Sequence, residues 1–443
     1  MSTDKDISTD EEAIDSVPHK YPVKWYRSTF YNALVLGMCN FLAPGIWGAM
    51  NSLGGGGAAE PYVVNTANAL TFCLMVVSCF LGSVVVRLIG IKWTLIIGTM
   101  GYAPYAAGIY TQVRYDSSWL TLLGAALCGL SAGIFWMAES AIALAYPEPR
   151  NQGKFLGFWL SFRVGGQIVG GAINLGVNVR RSTAGSVSYI VYYVFIALQA
   201  LGPFCGMLLT PPGKVQRTDG VPVKLQIAKN NNPWTEIKAM ASLLVSRDFV
   251  LITPLIWQAT FAEAVFFTYN SMWFSVRARA LGSFVSGIMA IIAGNLLGAF
   301  LDSKLALKLR SRAGFVGILA LQGAWWLWGT IVVTDFHRDQ PVFDWVDRGF
   351  GRGFPLYFVV GNLAKDEEEV VRYASLLRGM ESASQAVSYG LSSVSIMASV
   401  GSVYMNFGLW AVALYPAWLV IREIGVSGDQ KVERETRAAR DGQ

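Results

Sequence analysis

The chain is most constrained by a hydrophobic hairpin, Trp119 to Val177, whose two arms each carry one charge. The first arm reads WLTLLGAALCGLSAGIFWMAESAIALAY and holds Glu139; the second reads KFLGFWLSFRVGGQIVGGAINLGV and holds Arg163. Crossing a bilayer core takes about 20 apolar residues of helix, and each arm supplies them. A charge facing lipid inside such a helix costs roughly 3 kcal/mol or more, so it turns toward another helix or a wet cavity. Counted from the connecting loop at about 1.5 Å per residue, both charges lie roughly 10 to 14 Å from the same membrane face. They are therefore expected to pair across the hairpin, either as a buried ion pair that fixes helix register or as part of a substrate or proton site.

The rest of the chain has the same character. Over 443 residues it is 53% hydrophobic and 14% charged, with a mean hydropathy of +0.42, whereas a soluble domain carries about 25% charged residues. This is the composition of an all-α polytopic membrane protein, with the lipid bilayer as its first partner. The formal charge of +6 does not point to nucleic acid, because the basic residues sit in loops and tails beside apolar spans, where they set topology. The five cysteines (Cys39, Cys73, Cys79, Cys128, Cys205) fall in apolar segments without a CxxC pair, which offers neither a disulfide frame nor a metal site. The two histidines, His19 and His337, lie outside the apolar runs. No catalytic triad or nucleotide-binding loop is visible, and Gly54 to Gly57 lacks the Gly-Lys-Ser/Thr of a phosphate loop, so neither an enzyme nor a cofactor is indicated. The acidic N-terminus has no apolar signal-peptide core, and the first span is expected to serve for targeting.

The order of apolar runs divides the chain into a disordered cytoplasmic N-terminus (1–29), a six-helix bundle (30–210), a basic cytoplasmic loop (211–248), a second bundle (249–421) and a cytoplasmic tail (422–443). The tenth span is the exception: Gly353 to Ala364 gives about 12 residues, roughly 18 Å of helix against a hydrocarbon core of roughly 30 Å. The Lys/Arg excess on the N-terminal side calls for an even number of crossings and a cytoplasmic N-terminus. A truncated tenth span that draws in neighbours such as Phe350 is therefore expected, followed by a solvated acidic loop at Asp366 to Glu369.

Two six-helix sets around a basic loop suggest a substrate path between pseudo-symmetric bundles at mid-membrane. Arg163 and Gln167 in the fifth span are four residues apart, as are Glu381 and Gln385 in the eleventh with the charge reversed, so each pair shares a helix face. Glu263, in QATFAEAVFFTYNSMWF, is a third intramembrane acid. An apolar setting favours a neutral carboxyl, which suits such a group either to load and release a proton or to bond to a neighbouring helix. Asn40, Asn68, Asn295 and Gln322 read as interhelical glue, with Asn40 also a pathway candidate, while Gly129/Gly133 and Gly166/Gly170 read as close-packing pairs. Trp325-Trp326-x-Trp328 reads as an interfacial belt or as an aromatic wall around a solute.

Several stretches resemble one known family. They are Phe41-Leu-Ala-Pro44-Gly45-Ile-Trp-Gly-Ala49-Met-Asn51-Ser-Leu-Gly54, then Gly90-Ile-Lys92-Trp-Thr-Leu95 through Gly98, Gly101-Tyr102 and Tyr105, and Gly129 to Gly133 with Trp136-Met-Ala-Glu139, Tyr146-Pro147 and Gly153-Lys154. Together they are similar to the uncoordinated-ninety-three-like branch of the major facilitator superfamily, particularly its fungal members, over most of the first half and by span layout in the second. The resemblance implies a major-facilitator-like fold of two six-helix bundles. The superfamily signature between spans 2 and 3 is present as Gly82, Arg87, Gly90 and Lys92, but Val86 stands where Asp is expected, and Gly166-Gln-Ile-Val-Gly170-Gly171 lacks the proline of the antiporter motif. Two functions follow as expectations. One is a secondary transporter that moves a small organic solute by alternating access, coupled to protons through Glu263 or Glu139 and oriented by Arg163. The other, which the family resemblance also supports, is a non-transporting accessory or escort for a membrane-protein partner such as a channel or receptor.

Overall fold

Prolines, glycines and serine runs cut an otherwise continuous helical sequence into separate rods. The computed structural model describes residues 22–148, 151–221, 223, 238, 241–242, 244–301, 306–347 and 371–422. The first half contains α1 (Thr29–Asn51), α2 (Tyr62–Ile89), α3 (Ile91–Met100), α4 (Tyr102–Tyr115), α5 (Ser118–Ala145), α6 (Gln152–Asn178) and α7 (Tyr189–Met207). The second contains α8 (Arg247–Trp273), α9 (Val276–Leu301), α10 (Leu307–Asp339), α11 (Val371–Ser392) and α12 (Met397–Ile421). Eight of these rods are long and apolar enough to cross a membrane, and no strand occurs among the described residues. The expected truncated span at Gly353 to Ala364, its neighbour Phe350, the acidic run Asp366 to Glu369, residues 1–21, most of the 222–243 stretch of the central loop and the tail from 423 lie outside the described residues.

Local chemistry explains where the rods bend. Pro44 has no N–H to give and its ring crowds the carbonyl four residues back, so α1 opens into a π-turn over Phe41–Gly45 before resuming. A Cβ at Gly45 would lie 2.9 Å from the Arg163 carbonyl oxygen and 3.1 Å from the Gly166 Cα, so α1 and α6 meet backbone to backbone there. Near the end of α11, Ser393 turns its hydroxyl back onto the Gly390 carbonyl at 2.6 Å and the helix stops. The apolar runs alone predict the last two spans as Arg378 to Val400 and Ser402 to Ile421; the structure instead begins α11 at Val371 and places the break at Ser393 and Val394.

The two arms of the charged hairpin meet only locally, where Trp159 reaches Glu139 and Arg163 lies over Trp136, and their main neighbours differ. α5 lies against α2, α3 and α4, whereas α6 lies along α1 and α9. The α5–α2 seam is closed by small residues, because a Cβ at Gly129 would fall 2.3 Å from the Thr71 carbonyl oxygen and one at Gly133 would fall 1.9 Å from Ser78 Oγ. Hydroxyls then bridge the bare backbones: Thr71 Oγ1 donates to the Ala125 carbonyl and Ser78 Oγ to that of Gly129, each at 3.0 Å.

The two most extensive contacts between the halves are α2 with α11 and α6 with α9. In the second, Gly171 would place a Cβ 2.8 Å from the Phe284 Cα and Gly287 one 2.7 Å from Ile168 Cγ1. The face opposite the N-terminus is sealed by a buried cation. Arg279, at the start of α9, donates to the carbonyls of Leu53 at 2.5 Å, Gly54 at 2.7 Å, Gly185 at 3.1 Å and Ala58 at 3.2 Å. The acceptor turn exists because Gly54 to Gly57 all take positive φ, which a side chain resists. Ser52 and Ser283 share a hydrogen bond of 2.5 Å beneath it.

Candidate functional site

Three helices bring ionisable groups together around a tryptophan of a fourth. Arg163 of α6 and Arg378 of α11 both lie over the Trp136 ring of α5, their Cζ atoms 4.9 and 4.4 Å from its centre, so guanidiniums from opposite halves share one indole. Arg378 Nη1 donates to Glu381 Oε2 at 2.8 Å. One turn further along α11, Gln385 Nε2 donates to Glu263 Oε2 of α8, also at 2.8 Å. The Glu263 carboxylate interacts electrostatically with Arg163, Glu381 and Arg378. These groups keep access to solvent although they sit within helices: the Arg378 and Glu381 side chains retain 16% and 14% of their surface, and Arg163, Gln167 and Glu263 are half-buried. Charges that keep exposed surface at the centre of apolar rods are the lining expected of a water-accessible path between the halves.

The expected pairing of Glu139 with Arg163 is not formed. Glu139 is fully buried where α5 meets both α1 and α6, accepting from Asn40 Nδ2 of α1 and from Trp159 Nε1 of α6, one turn before Arg163. Arg163 instead lies over the ring of Trp136, one turn before Glu139 on α5. Asn40 is likewise sealed away with Glu139. Gln167 lies toward α1, its Cδ 3.9 Å from where a Cβ on Gly48 would sit. The internal echo between Arg163/Gln167 and Glu381/Gln385 thus brings Arg163, Glu381 and Gln385 to the same cavity as Glu263 and leaves Gln167 at its wall.

Sequence reasoning missed Arg378 and Trp136 as members of this cluster. Beginning the eleventh span at Arg378 puts that residue at the membrane rim; the seven residues that precede it in α11 carry it inward. An aromatic residue in an apolar helix gives no signal of its own. Among the residues read as glue, Asn68 bonds to Asn51 at 2.9 Å, whereas Asn295 is exposed and buried Gln322 has no partner among the described residues. The tryptophan cluster is not at a membrane rim either: α10 runs on to Asp339, so buried Trp326 lies mid-helix. The five cysteines are free, with Cys73 exposed and Cys39, Cys79 and Cys128 buried.

Outside the cluster, a loop carboxyl is held by an ion pair to the start of α9. The Arg277 guanidinium donates to Asp344 and holds its carboxyl below the usual carboxylate range against the opposing effect of burial, with the Ser275 hydroxyl helping at 2.6 Å.

The architecture has counterparts among known proteins. A D-xylose–proton symporter structure superposes with a TM-score of 0.63 at 13% identity, over 89% of this chain and 99% of that one. A nucleoside transporter structure gives 0.58 at 12%, over 89% and 100%. By sequence, the chain is 41% identical to Notoamide biosynthesis cluster protein O' of Aspergillus versicolor over 92% of each protein, and 27% identical to UNC93-like protein 1 of Arabidopsis thaliana over 92% of this chain and 93% of that protein. The family described as ion channel regulatory protein UNC-93 matches residues 58–318. With its multi-pass helical architecture and these relatives, the chain belongs to the UNC-93 family and has the major facilitator fold.

Proposed function

We propose that the protein is a secondary active transporter that moves a small organic solute by alternating access, with Glu263 carrying the coupled proton and Arg163 orienting the solute. The observation behind this reading is the cluster of Arg163, Trp136, Arg378, Glu381, Gln385 and Glu263, built from both halves of the molecule with its Arg378–Glu381 pair still partly exposed. A structural ion pair could be dry and lie within one bundle; a site contributed by two bundles that keep water access is where a solute can be held while the bundles rock. The fold shared with a xylose–proton symporter and a nucleoside transporter supports the same reading. One relative is named for a biosynthetic cluster, and a metabolite of such a pathway is a fitting cargo. In this reading, residues 30–210 and 249–421 are the two moving bundles, both termini face the cytoplasm, and the membrane is the plasma membrane or an endomembrane.

The second reading, an accessory or escort for a channel or receptor, draws support from the family description and from Val86 in place of the signature Asp. Glu263→Gln separates the two. A transporter keeps its abundance and loses pH-dependent solute flux in vesicles; an escort tolerates the change and fails when its loops are altered. If the purified protein moves no solute from a broad panel under a proton gradient, the transport reading is abandoned.

A further inference from the structure

The charges of the central cluster do not balance in every protonation state, and the imbalance specifies a cargo. Arg378 is committed to Glu381 at 2.8 Å on its own helix. Glu139 is fully buried between α1 and α6, where its Oε1 takes hydrogen bonds from Asn40 and Trp159. That leaves Arg163 and Glu263 as the remaining opposite charges, interacting across the cavity without a direct ion pair. Gln385 donates to Glu263 from α11, Tyr389 lies within its electrostatic reach, and α12, packed along another flank of α8, contains no charged residue. When Glu263 is ionised, Arg163 is compensated through space and the cavity is neutral. When Glu263 takes a proton, Arg163 is left with no counter-charge, and its planar fork is matched to a carboxylate.

We infer that the cavity binds an organic monocarboxylate, held by Arg163 beside the indole of Trp136, and that it does so together with one proton on Glu263. The inference rests on the transport reading for its role but stands separately as a statement about binding. Two guanidiniums over a single indole disfavour a cationic cargo, since either would repel an ammonium at short range. Proton and anion favour each other's binding by the same factor, because linkage between the two sites is reciprocal. Bound together they add no net charge, so the loaded cavity returns to the neutrality of the empty, ionised one.

The test is calorimetric binding to the purified full chain with three probes of one shape: indole-3-acetate, its neutral amide and the cationic tryptamine. The acid is expected to bind with uptake of about one proton, read from buffers of different ionisation enthalpy, and to weaken as pH rises. The amide is expected to bind about 10- to 100-fold more weakly, the worth of a charge-assisted hydrogen bond, and the amine weaker still. Arg163→Gln is expected to erase the preference for acid over amide, while Arg163→Lys, which keeps the charge, preserves it. Glu263→Gln is expected to hold the acid at every pH with the affinity that the native chain reaches only in acid. Equal or stronger binding of the amide or the amine, binding of none of the three, or acid binding without proton uptake overturns the inference. Vesicle flux measured in parallel separates the two claims. Proton-driven movement of neutral or cationic solutes alone sinks the carboxylate and leaves transport standing, whereas proton-linked acid binding without flux of any solute sinks transport and leaves the site.

Discussion

Glu139 and Glu263 are both carboxyl groups sunk in apolar helices, yet their surroundings give them different work. Glu139 has no exposed surface and accepts from Asn40 and Trp159; Glu263 reaches the cavity and answers to charges from two helices. Glu139→Gln keeps an acceptor for both donors and is expected to leave the pH profile of flux unchanged. Asn40→Ala removes a donor from a buried carboxyl and is expected to cost about 1–3 kcal/mol of stability, seen as a lower thermal midpoint in detergent. Outside the membrane, Asp344 offers a pH test. Its carboxyl is held low by Arg277, so its stabilising contribution is complete above the unfolded value near pH 4 and is lost as pH falls through the lower folded value. The thermal midpoint of the native chain is therefore expected to drop on acidification below about pH 4 more steeply than that of Asp344→Asn.

At the scale of the helices, the seams are decided by side chains that are missing. The α5–α2 contact has no room for a methyl group at Gly129 or Gly133. Gly129→Val is expected to lose about 1–3 kcal/mol or more and to reduce the monodisperse fraction recovered by size exclusion, whereas the same change at exposed Gly157, which has open space around it, is expected to be tolerated. How much of this was legible in the sequence depended on whether the signal was local. Long apolar runs and the small-xxx-small spacing are local properties, and they anticipated the rods and the tight seams. Which rods adjoin is a property of the whole assembly. Loop proximity in sequence pointed to contact between Glu139 and Arg163; the arms do meet there, but each charge takes a tryptophan of the other arm, Trp159 for Glu139 and Trp136 for Arg163. For the same reason Arg378 could not be seen as a cavity residue until its helix acquired a start at Val371.

At the scale of the molecule, the two halves are held shut on one face by Arg279, whose guanidinium fastens α9 to the glycine turn after α1. Alternating access requires that this closure give way. Arg279→Ala removes all of its carbonyl contacts and is expected to speed labelling of Ser283→Cys by a membrane-impermeant maleimide, applied from the face opposite the N-terminus, by about tenfold or more; an unchanged rate would mean that the seal lies elsewhere. The parting of the hairpin arms carries a last consequence, for biosynthesis. α6 leaves the ribosome early, but Gly171 cannot meet Phe284 until α7, the central loop, α8 and the start of α9 have been made. During that interval the arginine-bearing rod waits in the bilayer with one flank bare, so translation halted after the first six spans would leave a fragment lacking half of the surface on which its charged helix comes to rest.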